Sequence, residues 1–169
     1  MFLENYIYDN FITNSQELVN ELKKPEIDRL FKDRNKGKYK FQTYDEKGAN
    51  MFTMMHSDIP KYLKEMALST AKLNRSQPPD TIAFNKYLPG GYLGKHRDSS
   101  GKYWDFNLIF LQSTRSHFMV YDENDMPHLI EEIPGRCIDM PLRIIHESTK
   151  IGLDEDIKYS MVFTWGTIY

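Results

Sequence analysis

The spacing of apolar side chains changes character about half-way along this chain. Before Pro78-Pro79 it runs mostly at helical period, and after it mostly at period two. Phe2 to Phe11 alternates well enough for a first strand, with Tyr6 and Tyr8 on one face and Ile7 on the other. Leu18, Val19 and Leu22 then form a helical stripe, preceded by Asn14 as an N-cap with Glu17 three residues on, a capping-box pattern. That helix stops before Pro25, and a second short helix fits Pro25 to Arg34 with Ile27, Leu30 and Phe31 inward. The next segment is less regular and interleaves Tyr39, Phe41, Tyr44 and Phe52 with Lys36, Lys38, Lys40 and Lys47. Such a pattern suits a hairpin with one solvated face, or a surface that stacks a nucleobase and holds its phosphate. Asp58 caps a third helix with Pro60 in its first turn. Leu63, Met66, Ala67 and Thr70 line one face of it as far as about Leu73.

Beyond the prolines the pattern predicts strands at Thr81 to Tyr87, Asp105 to Leu111, His117 to Tyr121, Leu129 to Ile133, Cys137 to Met140, Arg143 to His146 and Lys158 to Trp165. Pro89-Gly90-Gly91 reads as a turn, too short for a phosphate-cradling loop. Many short strands at close spacing predict a sandwich or jelly roll, braced on one face by the preceding helices, an α+β fold.

Composition narrows the picture. At 169 residues the chain fits one domain, with 1–80 as helical and aromatic support and possible substrate lid and 81–169 as the β core. A formal net charge of −2 gives no global attraction to phosphate backbones, so a nucleic-acid contact needs a local basic patch. The single Cys137 excludes an intramolecular disulfide framework and suits a reducing compartment. No basic segment precedes an apolar run at the N-terminus, and no run of about 18 apolar residues occurs, so a soluble intracellular protein with no membrane association is expected. The nine methionines read as packing residues.

The chemistry concentrates at His96-Arg97-Asp98. Residues i and i+2 of a strand share a face, so His96 and Asp98 can present a nitrogen and a carboxylate oxygen to one ion. A third ligand, for which His146 is the candidate, would complete the two-His, one-carboxylate face that leaves positions open on non-haem Fe(II). The plain alternative is a hydrogen-bonded His and Asp pair. His56, His117 and His128 have no partner at ligand spacing and read as surface or core histidines.

The run Asn85-x-Tyr87-x-Pro89-Gly90, followed by His96-x-Asp98, resembles the Fe(II)- and 2-oxoglutarate-dependent dioxygenases, and its spacing resembles the AlkB-like branch in particular. Gly135 to His146 resembles the turn and strand that lead to that family's distal histidine. Lys158-Tyr159-Ser160-Met161-Val162-Phe163-Thr164-Trp165 resembles its last core strand, which carries a basic residue for the co-substrate. The resemblance runs loosely over nearly the whole chain and implies a double-stranded β-helix (jelly-roll) core. It implies Fe(II) on His96, Asp98 and His146, 2-oxoglutarate as co-substrate, O2 as oxidant and hydroxylation of a substrate C–H bond. Lys158 would hold the distal carboxylate of 2-oxoglutarate, with Tyr87 and Ser160 donating hydrogen bonds, and Asn85 would contact the iron-side carboxylate. The other reading of Lys158 is a solvated lysine at a strand end, after Asp154-Glu155-Asp156.

An AlkB-like enzyme has an arginine six residues beyond that cation, where this sequence has Thr164. Arg143 is the candidate substitute, and the alternative for it is an ion pair with Glu147 or Asp139. The ending Lys158-Tyr159-Ser160 with Trp165 also resembles the prolyl-hydroxylase-like dioxygenases, which use one basic residue. The AlkB-like resemblance implies oxidative demethylation of an N-alkylated base in DNA or RNA, flipped or single-stranded, with Tyr103 and Trp104 joining the aromatic segment as stacking candidates. The alternatives are hydroxylation of a protein side chain or of a pyrimidine base, and a catalytically inactive binding module.

Overall fold

A computed structural model describes residues 6–34, 49–97, 105–140 and 144–166. The expectations resting on Asp98, Arg143, Tyr39, Phe41, Tyr44, Tyr103 and Trp104 lie outside the described residues. In chain order the elements are β1 (Ile7–Tyr8), α1 (Ser15–Leu22), α2 (Pro25–Asp28), β2 (Lys32–Asp33), β3 (Ala49–Met54), α3 (Lys61–Ser69), β4 (Thr81–His96), β5 (Asp105–Phe110), β6 (Phe118–Tyr121), β7 (Pro127–Ile130), β8 (Cys137–Met140), β9 (Ile145–Ser148) and β10 (Lys158–Trp165).

Every described strand pairing is antiparallel. One sheet runs β1-β8-β5-β10-β4-β3-β2, and the other runs β4-β9-β6-β7. The two sheets curl into a jelly roll and share β4, whose first half pairs with β10 and β3 and whose last residues pair with β9.

Alternation decides what each face buries. On β10, Tyr159, Met161 and Phe163 join Ile82 and Phe84 of β4 in a core closed by Leu18, Val19 and Leu22 of α1 and Leu63 and Ala67 of α3. The opposite face packs Phe106, Leu108 and Phe110 of β5 against Phe118, Val120, Ile130, Ile138 and Met140 between the sheets. Each such side chain contributes about 1.5–3 kcal/mol on leaving water, which fixes the register, because a one-residue slip would exchange the two faces. No described helix is long and apolar enough to cross a membrane.

Several local expectations are corrected. Asn14 holds the N-cap position of α1 but makes no cap bond. Its side chain instead crosses to the end of α3, donating to the Met66 carbonyl at 2.8 Å and accepting from the Thr70 hydroxyl at 2.7 Å. The helix from Pro25 ends at Asp28, and Lys32–Asp33 pairs with β3 instead. Asp58 closes a short 3-10 turn and binds Lys32 at 2.8 Å rather than capping α3, which ends at Ser69. The segment at Pro89-Gly90-Gly91 is no chain reversal. β4 continues through it, because Gly90 adopts a φ of 76° open to glycine and donates to the Ile151 carbonyl at 3.0 Å, while Ile151 donates to Gly91 at 3.0 Å. The pairing with β3 slips in register across this bend, between Tyr87 and Tyr92, and the pairing with β9 slips just beyond it, between Leu93 and His96, as β4 passes from one sheet to the other.

Candidate active site

The bend in β4 delivers His96 opposite His146 of β9 as direct antiparallel partners. The rings are 1% and 5% exposed, with centroids 4.2 Å apart at 60°. In each case Nδ1 meets the carbonyl two residues back along the chain, Gly94 at 2.6 Å and Ile144 at 3.0 Å. A carbonyl only accepts, so Nδ1 is the donor in each contact, and Nε2 is the ring nitrogen that would ligate a metal. Phe106 and Phe118 stand 5.9 Å and 5.5 Å from the His146 ring, giving it an apolar wall. The two imidazoles fit the nitrogen half of a two-His, one-carboxylate donor set. Among the described residues no cluster of three His, Cys, Asp or Glu side chains forms, and the carboxylate assigned from the sequence, Asp98, lies outside them.

Two residues further along the same face of β9 is Ser148, about 7 Å from His146 by strand geometry. Its hydroxyl accepts from Lys158 Nζ at 2.8 Å. Lys158 is 2% exposed, which overturns the solvated strand-end reading. Its ammonium also donates to Glu132 Oε1 at 2.5 Å and Ser116 Oγ at 3.5 Å, and lies 4.9 Å from the centre of the Tyr87 ring. Burial pulls the Lys158 pKa down, and the Glu132 carboxylate opposes that pull. The other Glu132 oxygen accepts from Thr114 at 3.0 Å and Ser116 at 3.4 Å.

Asn85 and Tyr87 alternate onto this same inner face of β4, and Ser160, directly opposite Asn85, onto that of β10. Asn85 Oδ1 accepts from Thr53 Oγ1 at 2.8 Å, and Arg34 Nη1 donates to that Thr53 hydroxyl at 3.0 Å. A guanidinium therefore approaches the Asn85 corner from the N-terminal segment. Thr164, at the place of the AlkB-like arginine, is a buried threonine on the inner face. Asp139 pairs with Arg75 at 2.8 Å, and Glu147 accepts from the Tyr121 hydroxyl. Phe52 packs on the helix side of the sheet near Lys86, away from the inner face.

Sequence reasoning missed Glu132, Ser116, Thr114, Ser148 and Arg34. Only Ser148 carried a usable signal, its two-residue spacing from His146. Of the remaining histidines, His56 Nδ1 accepts from the Ile82 amide at 3.0 Å and His128 Nε2 lies 3.0 Å from Asp122. Cys137 is buried and its thiol is pushed well above its ordinary range by desolvation, which suits an inert packing role.

No family model matches the sequence, and no curated protein matches it. Solved structures do. A Pseudomonas putida prolyl-4-hydroxylase superposes with a TM-score of 0.63 at 11% identity, covering 94% of this chain and 89% of that one. A Trichoplax adhaerens prolyl hydroxylase, solved with a hypoxia-inducible-factor peptide, gives 0.63 at 12% identity over 94% and 81%. OsALKBH1 gives 0.57 at 13% identity over 93% and 95%. The chain has the fold of the Fe(II)- and 2-oxoglutarate-dependent oxygenases. Both the AlkB-like and the prolyl-hydroxylase-like branches of this fold are among its neighbours.

Proposed function

We propose that this chain is an Fe(II)- and 2-oxoglutarate-dependent oxygenase, with iron on His96, His146 and Asp98. The observation that carries the reading is the direct cross-strand pairing of two buried histidines, each with Nδ1 on a backbone carbonyl, a two-residue step from the serine that contacts a buried lysine. Two neutral imidazoles and one carboxylate leave a singly positive Fe(II) site, matched to a dianionic co-substrate. Bound together, iron and 2-oxoglutarate supply oxidation of a substrate C–H bond by O2, with loss of CO2 from the co-substrate.

The remaining work belongs to the chain. Phe106 and Phe118 keep water from the His146 side. Lys158, Ser148 and Ser116 converge as donors for the distal carboxylate, about one five-carbon span from the histidines, with Tyr87 and Ser160 on the same wall. Asn85 is oriented by Thr53, which engages its carbonyl end and leaves the amide end to donate to the iron-side carboxylate.

For the substrate, a peptide side chain is the better-supported class. A single basic residue on β10, Thr164 in place of a second cation, the formal net charge of −2 and the likeness to two prolyl hydroxylases favour it. The second reading is demethylation of an N-alkylated base, favoured by the position of Asn85 and the likeness to OsALKBH1. Incubation with Fe(II), ascorbate and 2-oxoglutarate, with proline-containing peptides and methylated oligonucleotides in parallel, tests both by product mass. A peptide gaining one oxygen atom supports the first, and an oligonucleotide losing its methyl group supports the second. Absence of succinate from every mixture, with or without substrate, overturns the oxygenase reading.

A further inference from the structure

We infer that Glu132 is a resident carboxylate in the distal-carboxylate subsite, one that an incoming co-substrate has to displace from Lys158. This rests on the oxygenase reading and adds a residue that sets co-substrate affinity. The Glu132 side chain is 0% exposed and the Lys158 side chain 2%, and their contact is 2.5 Å. Around Glu132 lie donors from two separate segments, Thr114 and Ser116 on one loop and Lys158 on β10, and Ser148 of β9 accepts from Lys158 beside them. That is a built anion site, already holding an anion of this chain.

Charge counting shows why both anions do not fit. Lys158 with Glu132 is neutral, whereas a second carboxylate on the same ammonium would leave an uncompensated negative charge in a place closed to water. Such a charge costs several kcal/mol, so one carboxylate replaces the other. The backbone allows the exchange, because Glu132 lies outside the strands, between the end of β7 at Ile130 and the start of β8 at Cys137. Its neighbour Glu131 is exposed, so solvent lies one residue away along this connection. Until it moves, the two hydroxyls on its second oxygen and the lysine on its first hold it against the ligand.

The test is anaerobic calorimetry on Mn(II)-loaded protein, titrated with 2-oxoglutarate and with 2-oxobutyrate, which has the same chelating end but no distal carboxylate. Glu132→Gln keeps the shape of the side chain and removes its charge. The variant is expected to bind 2-oxoglutarate about tenfold more tightly than the unaltered protein, with 2-oxobutyrate unchanged to within about twofold. Thr114→Val removes one hydroxyl from Glu132 without touching Lys158, and a tightening of about two- to fivefold is expected from it. This second variant serves if the first does not fold. Unchanged or weaker 2-oxoglutarate binding in the folded variants overturns the inference and leaves the oxygenase reading standing. If neither 2-oxo acid binds the metal-loaded protein or its variants, both fall together.

Discussion

Two buried lysines sit side by side on neighbouring strands, and they are buried for different reasons. Lys86 of β4 is paired in register with Tyr159, and Lys158 of β10 with Tyr87, so the two ammonium groups leave the sheet on opposite faces. Lys86 lies between the rings of Phe31 and Phe52 and reaches Asp28 at 2.6 Å, whose side chain is 45% exposed. Its stem is covered and its charge ends at the surface. Lys158 ends on a carboxylate with no exposure at all, among hydroxyls from other segments. A pair that keeps one foot in water is worth little and holds an element in place. A cation stripped of water, paired with one carboxylate and flanked by hydroxyls contributes little net stability, and its geometry is that of a place prepared for an anion.

Lys158→Met gives the largest effect, because it strands Glu132 as a lone buried carboxylate. A loss of about 3–5 kcal/mol in urea unfolding is expected, together with loss of measurable 2-oxoglutarate binding. Combining it with Glu132→Leu restores most of the stability but none of the binding, and recovery of both would break the contrast. Ser148→Ala removes one hydrogen bond to a buried charge. It is expected to cost about 1.5–3 kcal/mol and to weaken 2-oxoglutarate in calorimetry, with 2-oxobutyrate nearly unaffected. Lys86→Met sharpens the comparison from the other side, with at most about 1 kcal/mol lost and the 2-oxoglutarate affinity unchanged. If this variant binds as poorly as Lys158→Met, the two lysines are not different in kind.

The smallest effect concerns pH and the scaffold alone. The His56 pKa is lowered by burial and then by Lys64, so the folded chain takes up its proton less readily than the unfolded chain. Its contribution is fully present above the ordinary pKa of 6.5 and is lost as pH falls through the lowered folded value. Melting temperatures measured from about pH 7.5 to about pH 5 should fall slightly more in the unaltered protein than in His56→Gln, whose amide oxygen still accepts from Ile82.

The period-two pattern made much of this fold legible. β8 and β10 begin and end where the alternation places them, since their two faces meet different cores. The expected strand ending at His146 runs on to Ser148 in β9, because all four residues Ile145–Ser148 pair with β6 and two of them with β4, partners no local pattern encodes. Pro89-Gly90-Gly91 has turn chemistry but a strand's partners, supplied by residues 49–51 and 151. The sequence put His96 forward through its i, i+2 spacing from Asp98 and His146 through the resemblance, and the structure makes the two histidines strand partners. Glu132 was not. It stands beside an exposed glutamate, and what distinguishes the two is a lysine 26 residues away along the chain.

One strand threading both sheets has a consequence for how the molecule opens. Thr81 to Tyr87 is zipped to β10, with β3 on the other side along part of that length, while the end of the same strand is clasped by β9. Peeling away either wall therefore strips backbone bonds from the segment that carries His96. In deuterium exchange the central amides of β4 should be among the slowest to trade, and they should do so only when the whole chain comes apart.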